Sequence, residues 1–349
     1  MEYITLGKTK LLVSRTSFGA LPIQRVKDKS EACAIIRKAY ESGINFFDTA
    51  RAYSDSESKL SSALCDVRNS IIIATKTAAK TKEAVLEDLH TSLRTLHTDY
   101  IDVYQLHNPS VVPKPGDGSG IYETLKQAQE DGKIRYIGIT NHSRLLALDA
   151  ALSGLYDTVQ YPFSLLSSPE EIDLARMCSQ LDIGFIAMKA LCGGLLTNIQ
   201  LAFGFIRQFE NVIPIWGIQK QSELEEILAL EANPPIIDDA FKAAIEVEKQ
   251  ELAINFCRSC GYCQPCPAGI PIENANRMTQ LLKRSPKEVW LTPEWKEKME
   301  RIENCTKCGA CAERCPYHLK PFETLPSHLA DFRAQYEAFH ACEKPDSTN

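Results

Sequence analysis

Residues 15–24 read RTSFGALPIQ, a short run of strand character that ends at Gly19 and passes directly into a loop. A doubly wound open sheet that binds a dinucleotide places G-x-G-x-x-G at this point, after its first strand. Here that motif is absent. Seven further runs follow at 44–48 (INFFD), 71–76 (IIIATK), 100–107 (YIDVYQLH), 134–141 (IRYIGITN), 157–160 (DTVQ), 183–188 (IGFIAM) and 212–217 (VIPIWG). Between them the apolar spacing changes to three and four, the helical period. Ala32, Ile35, Ile36 and Ala39 mark one helix, Val85, Leu86, Leu89, Leu93 and Leu96 another, and Ile199, Phe203 and Ile206 a later one. Ser222-Glu223-Leu224-Glu225 predicts a capping box at the start of the last. Eight strand–helix units without the open-sheet fingerprint predict an α/β fold, a closed parallel (β/α)8 TIM barrel over residues 1–232.

Composition limits what such a chain can do. In 349 residues, 39 Lys and Arg stand against 45 Asp and Glu, a net charge of −6 that argues against a nucleic-acid or anionic-membrane surface. No run of 18 apolar residues exists to span a membrane, and MEYITLGKTK is not a signal peptide, so a cytoplasmic protein is expected. The 13 cysteines are unevenly spread. Cys33, Cys65, Cys178 and Cys192 are isolated, eight crowd into 257–315, and Cys342 stands alone. In a reducing compartment such a cluster reads as metal binding.

Chemistry in a barrel of this kind lies at the carboxyl ends of the strands. The second run ends in Asp48, the third in Lys76, the fourth in His107, the fifth in Thr140-Asn141 and the sixth in Gln160, with Tyr53 five residues beyond Asp48. A phenol, with a reference pKa of about 10, donates poorly at neutral pH. A neighbouring ammonium favours the phenolate, a carboxylate can hold that ammonium, and a neutral imidazole can orient a substrate oxygen. The set suits protonation of a carbonyl oxygen during hydride delivery to its carbon.

The motifs LGKTKLLVSRTSFG, INFFDTARAYSDSES, IIIATK, LHTDYIDVYQLHNP, GITNHS and VQYPFSLL together resemble the aldo-keto reductases over about residues 1–230. The resemblance implies that Tyr53 is the general acid, Lys76 its partner, Asp48 the anchor of Lys76 and His107 the substrate orienter. It implies a small carbonyl substrate and NADP or NAD bound extended across the barrel mouth. Asn141 and Gln160 would hold the nicotinamide carboxamide, with Gly19, Asp48 and Thr140 beside them. Met188-Lys189 stands where many members place a stacking aromatic ring. At the adenosine end lie Gly217, Ser222 and Glu226. Lys220 is the cation there and Glu223 would repel a 2′-phosphate, which leaves NADH open beside NADPH.

The tail carries a second pattern. Residues 257–267 read CRSCGYCQPCP and 305–316 read CTKCGACAERCP. The later run is C-x2-C-x2-C-x3-C-P, the bacterial ferredoxin spacing, in which the fourth cysteine ligates the other cluster. On that logic Cys257, Cys260, Cys263 and Cys315 form one [4Fe-4S] site and Cys305, Cys308, Cys311 and Cys266 the other. Zinc held by C-x2-C pairs, and one cluster in place of two, are the alternatives. The spacer shows helical spacing at 272–283 and 294–302, so residues 256–342 resemble an α-helical ferredoxin module, which some aldo-keto reductases carry. A connector, 233–255, is expected to be helical through Ala240, Ala244 and Val247. Residues 322–339 predict an amphipathic helix through Leu325, Leu329, Phe332 and Tyr336, and 343–349 a disordered tail. His90, His97, His142, His318, His328 and His340 receive no catalytic role.

The leading functional expectation is a carbonyl-reducing oxidoreductase with an iron–sulfur tail. An electron-transfer or redox-sensing protein using the barrel as scaffold, with a redox protein docked on the tail, is the alternative. A nicotinamide gives two electrons as a hydride whereas each cluster takes one, and no flavin motif bridges the mismatch. The clusters are therefore expected to stand outside the carbonyl reaction.

Overall fold

The computed structural model describes residues 1–252 and 256–341. Cys342, the expected tail 343–349 and the end of the connector lie outside the described residues. Two strands absent from the expected set open the chain: β1 (Tyr3–Thr5) and β2 (Leu12–Ser14) pair antiparallel. The eight expected runs form β3 (Ser17–Gly19), β4 (Phe46–Asp48), β5 (Ile72–Thr77), β6 (Ile101–His107), β7 (Ile134–Thr140), β8 (Thr158–Pro162), β9 (Gly184–Met188) and β10 (Val212–Gly217). They close in the order β10-β3-β4-β5-β6-β7-β8-β9, all parallel.

The first hairpin determines which end of the barrel stays open. Leu6, Leu11 and Val13 are buried in one cluster with Phe46, Ile72 and Ile213 from the strands. Lys8 N–H donates to the Asp182 carbonyl just before β9 (2.6 Å), and a Cβ at Gly7 (φ +48°) would come 2.4 Å from the Gly184 nitrogen. Only glycine fits there. The amino ends of the strands are thereby sealed, and polar side chains are left to the carboxyl ends.

Helices α1 (Lys29–Glu41), α2 (Ser56–Leu64), α3 (Lys82–Leu96), α4 (Ile121–Glu130), α5 (Arg144–Ser153), α6 (Pro169–Gln180), α7 (Ile199–Arg207) and α8 (Gln221–Ala232) alternate with the strands. The predicted face of α1 is the buried one: Ala32, Ile35, Ile36 and Ala39. The predicted capping box is displaced. Helix α8 starts at Gln221 with Lys220 as N-cap, and the Glu223 carboxylate accepts from the backbone N–H groups of Gln219 (2.8 Å) and Lys220 (3.1 Å). Ser222 thus lies inside the first turn and caps nothing.

The chain divides into two compact units. One holds residues 1–190 and 198–241, the other 191–197 and Lys242 onward, so the division falls within α9 (Asp239–Leu252). The buried residues of α9 are Ile245 and Leu252, whereas Ala240 and Val247 are exposed. The packing face is therefore rotated from the predicted Ala240–Ala244–Val247 line. The second unit continues with α10 (Ile272–Ala275), α11 (Met278–Arg284), α12 (Pro293–Glu300), α13 (Ala310–Glu313) and α14 (Pro321–Ala341). Leu325, Leu329 and Phe332 of α14 are buried with Ile272, Met278 and Met299, as the amphipathic spacing requires. The single helix expected over 272–283 is broken at Asn276-Arg277, where Arg277 adopts φ −126°, ψ 0°. No helix among the described residues is long and apolar enough to cross a membrane.

Candidate active site and cysteine centres

Strand register fixes which side chains meet at the barrel mouth. Gly19 is level with Asp48, Asp48 with Ala74, Lys76 with Gln105, and His107 with Thr140, which is level with Gln160. Asp48 and Lys76 are 2% and 1% exposed, a degree of burial that charged groups tolerate only in pairs. Lys76 Nζ donates to Asp48 Oδ1 (2.5 Å) and to the Thr49 carbonyl (2.7 Å), and Gln105 Nε2 donates to Asp48 Oδ2 (3.2 Å). Burial pushes the Asp48 carboxyl up and the Lys76 amine down, and their mutual attraction opposes both shifts.

Tyr53 enters from the loop between β4 and α2. Its ring centroid is 5.4 Å from Lys76 Nζ, and the His107 ring meets it edge-on at 5.8 Å and 85°. The four predicted residues come together. Burial, and secondarily the Lys76 charge, pushes His107 down to about 3 from an ordinary 6.5, so its imidazole is neutral in the working range. The unfolded chain binds a proton at this position below pH 6.5 while the folded chain does not until about pH 3. Stability should therefore fall as pH drops through that window and level off beneath it. His107→Gln, which cannot titrate, should show a flatter dependence of unfolding free energy on pH over the same window in denaturant titrations. Equal slopes would contradict the shift.

Sequence reasoning missed Glu57. In the first turn of α2, it is 1% exposed, and its carboxylate pairs with Arg51 and accepts from Thr75 Oγ1 and Ser92 Oγ (2.7 Å each). Its charge favours the protonated form of Lys76. The available signal was its position in ARAYSDSE, four residues after Tyr53 on a buried helix face.

The predicted cofactor residues divide. Gln160 is 1% exposed, lies beside Asp48 and favours its ionised form, and keeps Oε1 without a partner among the described residues. His107 Nδ1 is likewise buried and unpaired. Thr140 Oγ1 donates to the Gln160 carbonyl (3.2 Å). Asn141 is bound at both ends, Nδ2 to the Pro109 carbonyl (2.9 Å) and Oδ1 from Ser143 N–H (2.7 Å). A Cβ at Gly19 would lie 3.0 Å from the carbonyl oxygens of Ile215 and Trp216, so strand packing favours glycine there independently of any cofactor. Met188 packs half-buried against the barrel interior, Lys189 has φ +58°, and Gly217, Ser222 and Glu226 are exposed.

In the second unit the eight thiols fall into two groups. Cys257 lies within electrostatic reach of Cys260 and Cys315, and Cys263 of Cys257 and Cys260. Cys266, Cys305, Cys308 and Cys311 line one small pocket whose walls include Ile270 and Leu325. None of these cysteines is in a disulfide. Burial raises the thiols of Cys257 and Cys311, and takes Cys263 up to about 12. A metal centre must displace those protons to bind. Among the described residues no His, Cys, Asp or Glu group is gathered to hold a metal ion; the thiols are instead spread around a volume.

Comparison with known proteins bears on both units. Residues 17–202 match the family model "Aldo/keto reductase family", and residues 256–319 match "4Fe-4S dicluster domain". The chain belongs to the aldo/keto reductase family, an oxidoreductase family, and carries a C-terminal 4Fe-4S domain. It is 31% identical to the aldo-keto reductase YhdN of Bacillus subtilis over 57% of this chain and 64% of that protein, less than two thirds of the relative's length. It is 30% identical to the uncharacterized oxidoreductase YqkF of the same organism over 79% of this chain and 92% of that protein. The aldo-keto reductase AKR11C1 from Bacillus halodurans shares the fold, with a TM-score of 0.63 and 22% identity over 73% of this chain and 97% of that one.

Proposed function

We propose that this chain reduces an aldehyde or ketone with NAD(P)H, with Tyr53 as the proton donor. The observation that carries this reading is the buried Lys76–Asp48 pair, whose ammonium lies 5.4 Å from the Tyr53 ring while neutral His107 packs against its edge. The unpaired Oε1 of Gln160 suits the amide N–H2 of a nicotinamide, and Asn141 retains a second N–H for the same group. A bound nicotinamide would supply the hydride to the carbonyl carbon. Tyr53 Oη gives its proton to the carbonyl oxygen, and the alcohol leaves. Lys76 stabilises the phenolate that remains, Asp48 keeps Lys76 charged and in place, and His107 sets the angle of the substrate oxygen. Glu223 already occupies the N–H groups of 219 and 220 and places negative charge at the adenosine end, which favours NADH over NADPH.

We read the two thiol groups as two [4Fe-4S] sites, Cys257, Cys260, Cys263 and Cys315 holding one and Cys266, Cys305, Cys308 and Cys311 the other. Their separation into two sets, each drawing one cysteine from the opposite run, supports the exchange of fourth ligands. A zinc site would hold four sulfurs within about 2.3 Å of one ion. One-electron centres fit a redox-protein partner at this module and not the hydride step itself.

The test is an anaerobic assay of the purified chain with a panel of aldehydes and ketones, following loss of the reduced nicotinamide. Turnover is expected with both nucleotides, with the larger kcat/KM for NADH. Carbonyl reduction driven by reduced ferredoxin with no nicotinamide present would replace this reading with the electron-transfer one.

A further inference from the structure

The break between α10 and α11 places one charged side chain in an unusual position. Arg277 is 2% exposed. A guanidinium stays protonated even when buried, and burying it without an opposing charge is strongly unfavourable. Among the described residues no carboxylate forms an ion pair with Arg277. The groups that would carry opposite charge beside it, once ionised to thiolates, are Cys257 and Cys192.

Its hydrogen bonds point to the same conclusion. Nη2 donates to the carbonyls of Gly193 (2.8 Å) and Cys192 (3.4 Å), while Nε is buried with no partner among the described residues. Cys192 and Gly193 both have left-handed backbone, φ +51° and +65°. A Cβ at Gly193 would lie 3.2 Å from Arg277 Nη1 and 3.5 Å from Ser259 Cβ. The 192–193 turn is therefore in contact with Arg277 on one side and with the first cysteine loop on the other. Arg314, near the other thiol group, is exposed and donates to the carbonyls of Gln264 (2.9 Å) and Pro265 (3.0 Å). Solvent screens its charge.

We propose that Arg277 is a positioning residue that sets the reduction potential of the centre held by Cys257, Cys260, Cys263 and Cys315, and that it fastens the 192–193 turn to that centre. The proposal rests on the reading of those four cysteines as one cluster's ligands. Thiolate-bound iron–sulfur cores become more negative by one charge for each electron accepted. A fixed cation in a poorly screened site stabilises the reduced form more than the oxidised form and raises the potential. No proton accompanies the electron at this residue, because the guanidinium does not titrate in the accessible range. The two centres should therefore have separate potentials, the one beside Arg277 higher than it would be without that charge.

The experiment is a potentiometric titration of the full-length chain, purified anaerobically and reduced with dithionite through mediators, with the reduced clusters read by electron paramagnetic resonance. The wild type should contain about eight irons and as many sulfides per chain and should titrate in two waves. Arg277→Gln should lower one wave by at least tenfold in the one-electron reduction equilibrium, about 59 mV, and leave the other in place. Arg277→Lys keeps the charge and should restore most of the shift. Gly193→Ala, which pushes the guanidinium aside without removing it, should lower the same wave by less. If Arg277→Gln loses iron, the order wild type, Arg277→Lys, Gly193→Ala from higher to lower potential still supports the proposal, and coincident potentials overturn it. Full iron with both waves unmoved in Arg277→Gln overturns the role of Arg277 alone. A wild-type chain without iron and sulfide overturns the ligand reading as well.

Discussion

Replacing Tyr53 by Phe should lower kcat for carbonyl reduction by about 10²–10⁴-fold, the range associated with loss of a positioned general acid, while nucleotide affinity stays within a few-fold of wild type. The phenol is half-buried on a loop and its ring packs edge-on against His107. Phe keeps that ring contact and removes only the oxygen. The variant therefore isolates proton donation from packing. Nucleotide titration by fluorescence and single-turnover measurement of hydride transfer separate binding from chemistry. Unchanged turnover in the variant would remove Tyr53 from the role assigned to it.

The reason this set of residues could be read before the structure lies in barrel geometry. A parallel barrel delivers successive strand ends to one rim, so polar residues at the ends of INFFD, IIIATK and YIDVYQLH must face one another once the barrel closes. Their proximity follows from topology, whatever the loops do. What stayed hidden depends on loops and local hydrogen bonds. The β1–β2 hairpin is formed by three-residue strands with no long alternation to reveal it. Ser222 looked like a cap, yet Glu223 reaches back to two backbone N–H groups and starts the helix earlier. Asn141 looked free for a ligand, but its amide oxygen accepts from Ser143 N–H in its own loop and one of its amide N–H groups donates to the Pro109 carbonyl in the loop after β6. In the tail, cysteine spacing alone yields the division of the eight thiols into two sets of four on which the proposed cluster sites rest. Arg277 carried no such signal. Its position depends on a helix break inside a stretch whose apolar spacing reads as continuous.

Lys76→Met should abolish activity and also destabilise the fold by about 3–5 kcal/mol, because removing one partner of a buried pair leaves the other charge uncompensated. Asp48 would keep the Gln105 hydrogen bond but lose the ammonium that offsets its burial. Its carboxyl, already held up by burial, should rise further and take a proton. A group whose folded pKa exceeds its unfolded value stabilises the fold below the unfolded value, and that contribution disappears as pH climbs through the folded value. The deficit of Lys76→Met relative to wild type should therefore shrink on acidification, grow as pH rises toward the elevated Asp48 value, and level off above it. Adding Asp48→Asn removes the orphaned charge, so Asp48→Asn/Lys76→Met should recover much of the stability yet none of the turnover. That divergence in a double-mutant cycle distinguishes a charge pair retained for catalysis from one retained for folding. Restored turnover in the double variant would mean that Lys76 is needed only to neutralise Asp48, and that the phenol donates its proton without it.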